Sequence, residues 1–140
     1  MKYLHTMIRV SDLDKSLDFF INTLGFVEQR RHVSDKGRFT LVFVACPESL
    51  ESPVELTYNW DPEVYTGGRN FGHLAYQVDN IYDYCAMLMK KGVIINRPPR
   101  EGRMAFIKTP DGISIEVLQK NDEYLPVQEP WSSMPNIGAW

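Results

Sequence analysis

The stretch Phe71-Gly72-His73-Leu74-Ala75-Tyr76-Gln77-Val78 repeats the opening of the chain, Tyr3-Leu4-His5-Thr6-Met7-Ile8-Arg9-Val10. In both stretches a histidine stands in a short apolar run, and a valine follows five residues later. A segment with apolar residues at helical spacing comes next, and each segment ends at a glycine, Gly25 or Gly92. This repetition indicates that the chain consists of two related halves.

The two halves also end alike, because each closes with an alternating apolar strand that carries one glutamate. These strands are Val54-Glu55-Leu56 and Ile115-Glu116-Val117. A carboxylate on a buried strand face costs several kcal/mol unless it is paired or bound to a metal. Together with His5 and His73 the two glutamates form a donor set that suits a borderline divalent ion such as nickel, cobalt, zinc or iron. The alternative is that both glutamates are solvated and both histidines make ordinary hydrogen bonds.

The order of predicted elements is βαβββ in each half, which places the chain in the α+β class. We predict two tandem βαβββ modules that form a curved mixed sheet, within a single domain over residues 1–120. Module one covers residues 1–62 and module two covers residues 70–120. Residues 121–140, the C-terminal tail, contain three prolines and two tryptophans, so we expect this segment to be non-helical and to lie across the surface.

Composition narrows the possible functions. A net charge of −3 and the lack of a lysine or arginine run argue against nucleic acid as a partner. No apolar run approaches the roughly 18 residues that a membrane span needs, and the first residues do not form a signal peptide. Cys46 and Cys85 have no metal-binding or redox spacing, so we expect two reduced thiols in a cytoplasmic protein.

Two polar residues share a strand face with the proposed ligands. Arg9 is four residues after His5, and Asn59 is four residues after Glu55, so the two-residue period of a strand puts each pair on one face. At about 3.3 Å per residue these groups lie roughly 13 Å from the ligands. A substrate with a reactive end at a metal and a longer anionic end at Arg9 would fit this distance. A salt bridge at an interface is the other reading of Arg9.

These residues carry a resemblance to the vicinal oxygen chelate superfamily, and more narrowly to its glyoxalase I (lactoylglutathione lyase) family of the short bacterial type. The resemblance covers about residues 3–119. It implies four metal ligands, His5, Glu55, His73 and Glu116, and a homodimer whose sites lie at the subunit interface. The metal it implies is one divalent ion per site, with Ni²⁺ or Co²⁺ favoured and Zn²⁺ possible.

The same resemblance implies a reaction. Methylglyoxal and glutathione would combine spontaneously as a hemithioacetal, which the enzyme would isomerise to S-lactoylglutathione by proton abstraction through a metal-bound enediolate. Glu116 would be the catalytic base, with Glu55 the other catalytic carboxylate. By the same match Arg9, Asn59 and Arg69 would hold the glutathione end of the substrate, and Arg103 is a further candidate for that role.

Two departures from this family bear on the thiol cosubstrate. The segment between Gly92 and Phe106 is shorter than in the bacterial enzymes, and the C-terminal tail is not part of the short form. The alternatives are another vicinal oxygen chelate enzyme, either a ring-cleaving dioxygenase or a thiol-conjugating or epimerising enzyme, and a non-catalytic ligand-binding protein of the same fold.

Overall fold

The computed structural model describes all 140 residues, which divide into two compact units, Met1–Thr66 and Gly67–Trp140. The boundary falls in the segment 61–70, where Pro62, Gly67 and Gly68 interrupt the strand and helix patterns. The C-terminal tail belongs to the second unit.

The first unit has the predicted βαβββ order. Its elements are β1 (Thr6–Arg9), α1 (Leu13–Leu17) with a π-helical continuation (Asp18–Thr23), β2 (Val27–Ser34), β3 (Phe39–Ala45) and β4 (Val54–Asn59). The four strands form a sheet in the order β1-β4-β3-β2, in which β1 and β4 are parallel and the other pairs are antiparallel. The sheet is therefore mixed, as predicted.

The second unit repeats this plan with one strand fewer than the predicted βαβββ order. Its elements are β5 (His73–Val78), α2 (Ile81–Lys90), β6 (Met104–Lys108) and β7 (Ser114–Gln119), and its sheet has the order β5-β7-β6. Where a fourth strand would lie, the backbone makes only an isolated bridge between Arg97 and Phe106. Pro98 and Pro99 follow at once, and proline has no N–H group to extend such a ladder.

The α+β class and the mixed sheets are as predicted, although the strands are hydrogen-bonded in two sheets, one in each unit. The alternation of the strands sorts their residues as expected: one face of each sheet is apolar and buried. In the first unit this face supplies much of the core, which includes Ile8, Val10, Phe20, Val42, Val44 and Leu56. The opposite face carries the histidine and glutamate of each unit.

The helices begin at side-chain caps and end at the glycines that the sequence predicts. The Asp12 carboxylate accepts a hydrogen bond from the backbone N–H of Lys15, and the Asn80 side chain accepts from those of Tyr82 and Asp83. Gly25 closes the first helical segment with a φ of 85°, and Gly92 follows α2 with a φ of 82°. None of the helices is long and apolar enough to cross a membrane.

The C-terminal tail lies on the second unit and contains two short 3-10 turns, Lys120–Asp122 and Trp131–Ser133, but no α-helix. Trp131 is buried and stacks on Tyr82 of α2, with ring centroids 6.0 Å apart. The Tyr82 hydroxyl donates to the carbonyl of Pro126 at 3.1 Å. The tail is thus fastened to the helix, and to the loop before β6 by contacts described below.

Candidate metal centre

The predicted ligands form two pairs, one in each unit. In the first unit His5 Nε2 lies 2.9 Å from Glu55 Oε2, and in the second His73 Nε2 lies 3.1 Å from Glu116 Oε2. The same two atoms meet in both units. Each pair combines an imidazole nitrogen with a carboxylate oxygen, and both are ligand types that borderline divalent ions accept.

Strand register explains why the two pairs have one geometry. Met7 opposes Glu55 across the parallel β1/β4 ladder, and Ala75 opposes Glu116 across β5/β7. Each histidine stands two residues before the residue that opposes the glutamate. A displacement of two residues keeps a side chain on the same face of the sheet. The imidazole and the carboxylate are therefore brought together by backbone pairing.

The glutamate side chains are less exposed to solvent than the histidine side chains. The side chains of Glu55 and Glu116 are 12% and 15% exposed, whereas those of His5 and His73 are 31% and 41% exposed. The carboxylates are thus the more desolvated members and need a partner in the folded chain. The histidines sit at the open side of each pair.

The spacing of each pair is that of a direct hydrogen bond: the separations of 2.9 and 3.1 Å let each pair close on itself without a cation. Bonds from a divalent ion to imidazole nitrogen or carboxylate oxygen are about 2.1 Å, so two atoms this close could also bind one ion. The residues of each unit thus fit two positions around a divalent ion.

The two glutamates differ in the residue that stands two positions after each of them, and the sequence patterns did not indicate that this residue matters. The hydroxyl of Thr57 donates to Oε1 of Glu55 at 3.1 Å, so both oxygens of that carboxylate have a partner. Leu118 stands at the equivalent position after Glu116, and its side chain has no hydrogen to donate. Glu55 is thus held at two points.

A phenylalanine contacts each histidine, and neither was predicted as a site residue. The rings of Phe43 and His5 meet edge to face, with centroids 5.2 Å apart, and those of Phe106 and His73 do so at 5.4 Å. Each phenylalanine opposes the glutamate of its own unit across an antiparallel ladder. The signal was present in the sequence, but the two Phe-to-Glu spacings differ because the connecting loops differ in length.

The four residues predicted to hold the distal end of a substrate differ in their exposure to solvent and in their contacts. Arg9 ends β1 and is exposed, and Asn59 ends β4 with its Oδ1 accepting from the Tyr65 hydroxyl at 3.5 Å. Arg69 is exposed in the segment before β5. Arg103 instead contacts the C-terminal tail.

Arg103 forms an ion pair with Asp122 and donates to the hydroxyl of Tyr124 at 3.1 Å. The hydrogen bond to Asp122 raises the pKa of the Arg103 guanidinium above its usual value. Its charge is therefore already balanced within the second unit, unlike the open position of Arg9.

Comparison with known proteins shows the family to which the chain belongs. Residues 2–117 match the family model described as "Glyoxalase/Bleomycin resistance protein/Dioxygenase superfamily". A lactoylglutathione lyase of Neisseria meningitidis serogroup A is 44% identical over 126 residues, which cover 86% of this chain and 91% of that protein.

Solved structures extend the comparison. The glyoxalase I of Leishmania major, described as trypanothione-dependent, has a TM-score of 0.79 and 37% identity, covering 86% of this chain and 87% of that one. TnmS3, an antibiotic binding protein from Streptomyces sp. CB03234, has a TM-score of 0.67 and 26% identity, covering 85% and 96%. From the family match and the identity of these relatives, the chain belongs to the Glyoxalase/Bleomycin resistance protein/Dioxygenase superfamily.

Proposed function

We propose that this protein is a metal-dependent lyase that isomerises the hemithioacetal of methylglyoxal and glutathione to S-lactoylglutathione. The observation that carries the proposal is the duplicated pair of ligands, His Nε2 and Glu Oε2 within 3.1 Å in both units. Relatives up to 44% identical over most of the chain are named lactoylglutathione lyases. A protein that only sequestered a ligand would have no need of two part-buried carboxylates beside imidazoles.

The residues that would hold the divalent ion are His5, Glu55, His73 and Glu116. When bound, the ion would polarise the substrate oxygens and stabilise the negative charge that develops during proton transfer. The likeness to the short bacterial type favours Ni²⁺ or Co²⁺, and Zn²⁺ is the alternative; all three accept imidazole nitrogen as a ligand.

We propose that the active form is a homodimer in which His5 and Glu55 of one chain meet His73 and Glu116 of the other. The support is that each unit supplies half of a four-ligand set with the same geometry. Mixing His5→Ala with His73→Ala should form heterodimers with one intact site and one doubly altered site, and activity should recover. Confirmed heterodimers without recovery would contradict a site shared between chains.

Glu116 is the group that moves the proton in this proposal. It would take the proton from C1 of the hemithioacetal and return it to C2. The hydroxyl proton on the C1 oxygen would pass to the C2 oxygen, so that the aldehyde carbon becomes the thioester and the ketone carbon becomes the alcohol. The difference between Thr57 and Leu118 supports this choice, because Glu55 is held through both oxygens and Glu116 has no hydroxyl at the equivalent position. A base needs an oxygen free to approach the substrate.

The thiol end of the substrate would be held by Arg9, Asn59 and Arg69. Glutathione is anionic at this end, and Arg9 and Arg69 are exposed cations, each on the polypeptide leading into or out of a ligand-bearing strand. Arg103 remains a weaker candidate, because a substrate carboxylate would have to displace Asp122. The cytoplasm is the proposed location, since both cysteines are free thiols and the cytoplasm keeps thiols reduced.

The test is a rate measurement on protein stripped of metal and reloaded separately with Ni²⁺, Co²⁺ or Zn²⁺. Methylglyoxal with glutathione should give S-lactoylglutathione with at least one of these ions. The trypanothione adduct is the parallel substrate, because the Leishmania relative is described as dependent on that thiol. Metal-loaded protein that turns over neither adduct would refute the proposal, and oxygen uptake with a catechol would favour a ring-cleaving enzyme.

A further inference from the structure

The phenylalanine beside each histidine has a second aromatic or cationic neighbour, and this neighbour differs between the units. In the first unit the guanidinium carbon of Arg30 lies 3.9 Å from the centroid of the Phe43 ring. In the second unit the indole of Trp140, the last residue of the chain, lies 6.2 Å from Phe106 at an interplanar angle of 32°. Each unit thus has a histidine, a phenylalanine and one further group in contact.

Strand register shows what the second unit lacks at this position. Arg30 opposes Phe43 across β2/β3, and Arg97 opposes Phe106 in the isolated bridge, so the two arginines are equivalent. The Arg97 guanidinium, however, donates to the carbonyl of Met104 at 2.7 Å and forms an ion pair with Glu101. It is therefore occupied within its own loop, and the indole of Trp140 lies beside the Phe106 ring instead.

Hydrogen bonds between the tail and the loop before β6 hold Trp140 beside the Phe106 ring. The backbone N–H of Ile137 donates to the carbonyl of Asn96 at 2.9 Å, and the Asn96 side chain donates to the carbonyl of Ile137 at 2.9 Å. Arg100 adds hydrogen bonds of 2.9 Å to the carbonyl of Met134 and to the side chain of Asn136. The tail is thus fastened to the loop before β6 three residues ahead of Trp140.

We infer that Trp140 is a positioning residue for the second pair of ligands: it packs on Phe106, which in turn fixes the imidazole of His73 with Nε2 toward Glu116. Aromatic pairs prefer defined tilted and edge-to-face arrangements, so an ordered Phe106 ring restricts the ring of His73. Groups that orient a ligand contribute to metal affinity without touching the metal. The inference rests on the metal site of the proposed function.

The main variant is Trp140→Ala in the full chain, with metal affinity measured by competition against a chromophoric chelator for Co²⁺ and Zn²⁺. We expect the dissociation constant to rise about two- to tenfold, the range that corresponds to an aromatic pair. Trp140→Phe should restore most of the affinity, because a phenyl ring can still pack on Phe106. Met89→Ala is the matched control, since Met89 is an apolar residue of the same unit, 47% exposed against 45% for Trp140.

A second measurement does not depend on metal. The chain has only three histidines, so the imidazole signals of metal-free protein can be assigned by nuclear magnetic resonance with a His73→Ala reference. Trp140→Ala should move the His73 signals through altered ring currents and leave those of His5 in place. Arg30→Ala should move the His5 signals and leave those of His73 in place.

The results separate this inference from the proposed function. Unchanged His73 signals in Trp140→Ala would overturn the inference, and so would unchanged affinity in protein that binds metal. Protein that binds metal and shows both effects, but does not convert the hemithioacetal, would support the positioning role and refute the proposed reaction. Loss of affinity in Met89→Ala as large as in Trp140→Ala would also overturn the inference, because it would show a general loss of stability.

Discussion

Replacing Glu116 with glutamine tests whether this residue is the base or only a ligand. The amide keeps the size of the side chain and one oxygen acceptor, but it cannot take up a proton at neutral pH. The surroundings tolerate the change, since the side chain is 15% exposed and its Oε2 meets only one imidazole nitrogen, His73 Nε2, at 3.1 Å. We therefore expect Glu116→Gln to fold and to retain some metal.

The expected loss in kcat is about 10²–10⁴-fold, the usual contribution of a positioned general base. This corresponds to about 3–5 kcal/mol of activation free energy at 1.36 kcal/mol per tenfold change. Glu55→Gln should differ, because the Thr57 hydroxyl already holds Oε1 of Glu55. Its main effect should be weaker metal binding, and metal-saturated Glu55→Gln should keep a kcat nearer that of the parent.

The assay follows thioester formation by ultraviolet absorbance at saturating metal, with bound metal measured on the same samples by mass spectrometry. Normalising kcat to bound metal separates a lost base from a lost ion. The reasoning would be refuted by Glu116→Gln that binds metal normally and turns over within tenfold of the parent. Glu55 would then be the next candidate for the base. Thr57→Val is the control for the hydroxyl that holds Glu55, and its kcat should stay within tenfold of that of the parent.

Three further predictions concern other parts of the chain. Arg9→Ala should raise KM for the glutathione adduct roughly tenfold to a hundredfold with little change in kcat, because it removes a charge-assisted hydrogen bond made equally in the ground and transition states. The control is Arg38→Ala, which removes a charge paired with Asp61 and should leave KM unchanged. Trp131→Ala should lower the free energy of unfolding in urea by about 3–5 kcal/mol, because it empties a buried site stacked on Tyr82. Burial raises the pKa of the Cys85 thiol to about 12, so an alkylating reagent near pH 8 should leave Cys85 unmodified in folded protein and label it once urea is added.

The sequence was sufficient to predict that each histidine shares a sheet face with a glutamate, because this placement depends on backbone register. Once β1 and β5 were identified from their alternation, the two-residue period fixed the faces of His5 and His73. The same period fixed the faces of Glu55 and Glu116. The structure brings each predicted pair within 3.1 Å, while the assignment of these residues as metal ligands stays a prediction.

Contacts between distant segments could not be predicted in the same way. The indoles of the tail were expected to lie on the surface, but nothing local in the sequence indicates that Trp131 stacks on Tyr82 or that Trp140 reaches Phe106. The sequence patterns also did not indicate that the second unit has one strand fewer than the first. The place of the missing strand is marked by Pro98 and Pro99, which stop the ladder after the single bridge at Arg97.

Under the proposed function, two units with the same backbone plan would take two different chemical roles. Register gives both pairs the same imidazole-to-carboxylate geometry. The side chains outside the pairs are not constrained by register, and they have diverged: Thr57 faces Glu55, whereas Leu118 follows Glu116. The hydroxyl that holds Glu55 has no counterpart beside Glu116, and this difference supports the proposed roles of Glu55 as a ligand and Glu116 as the base.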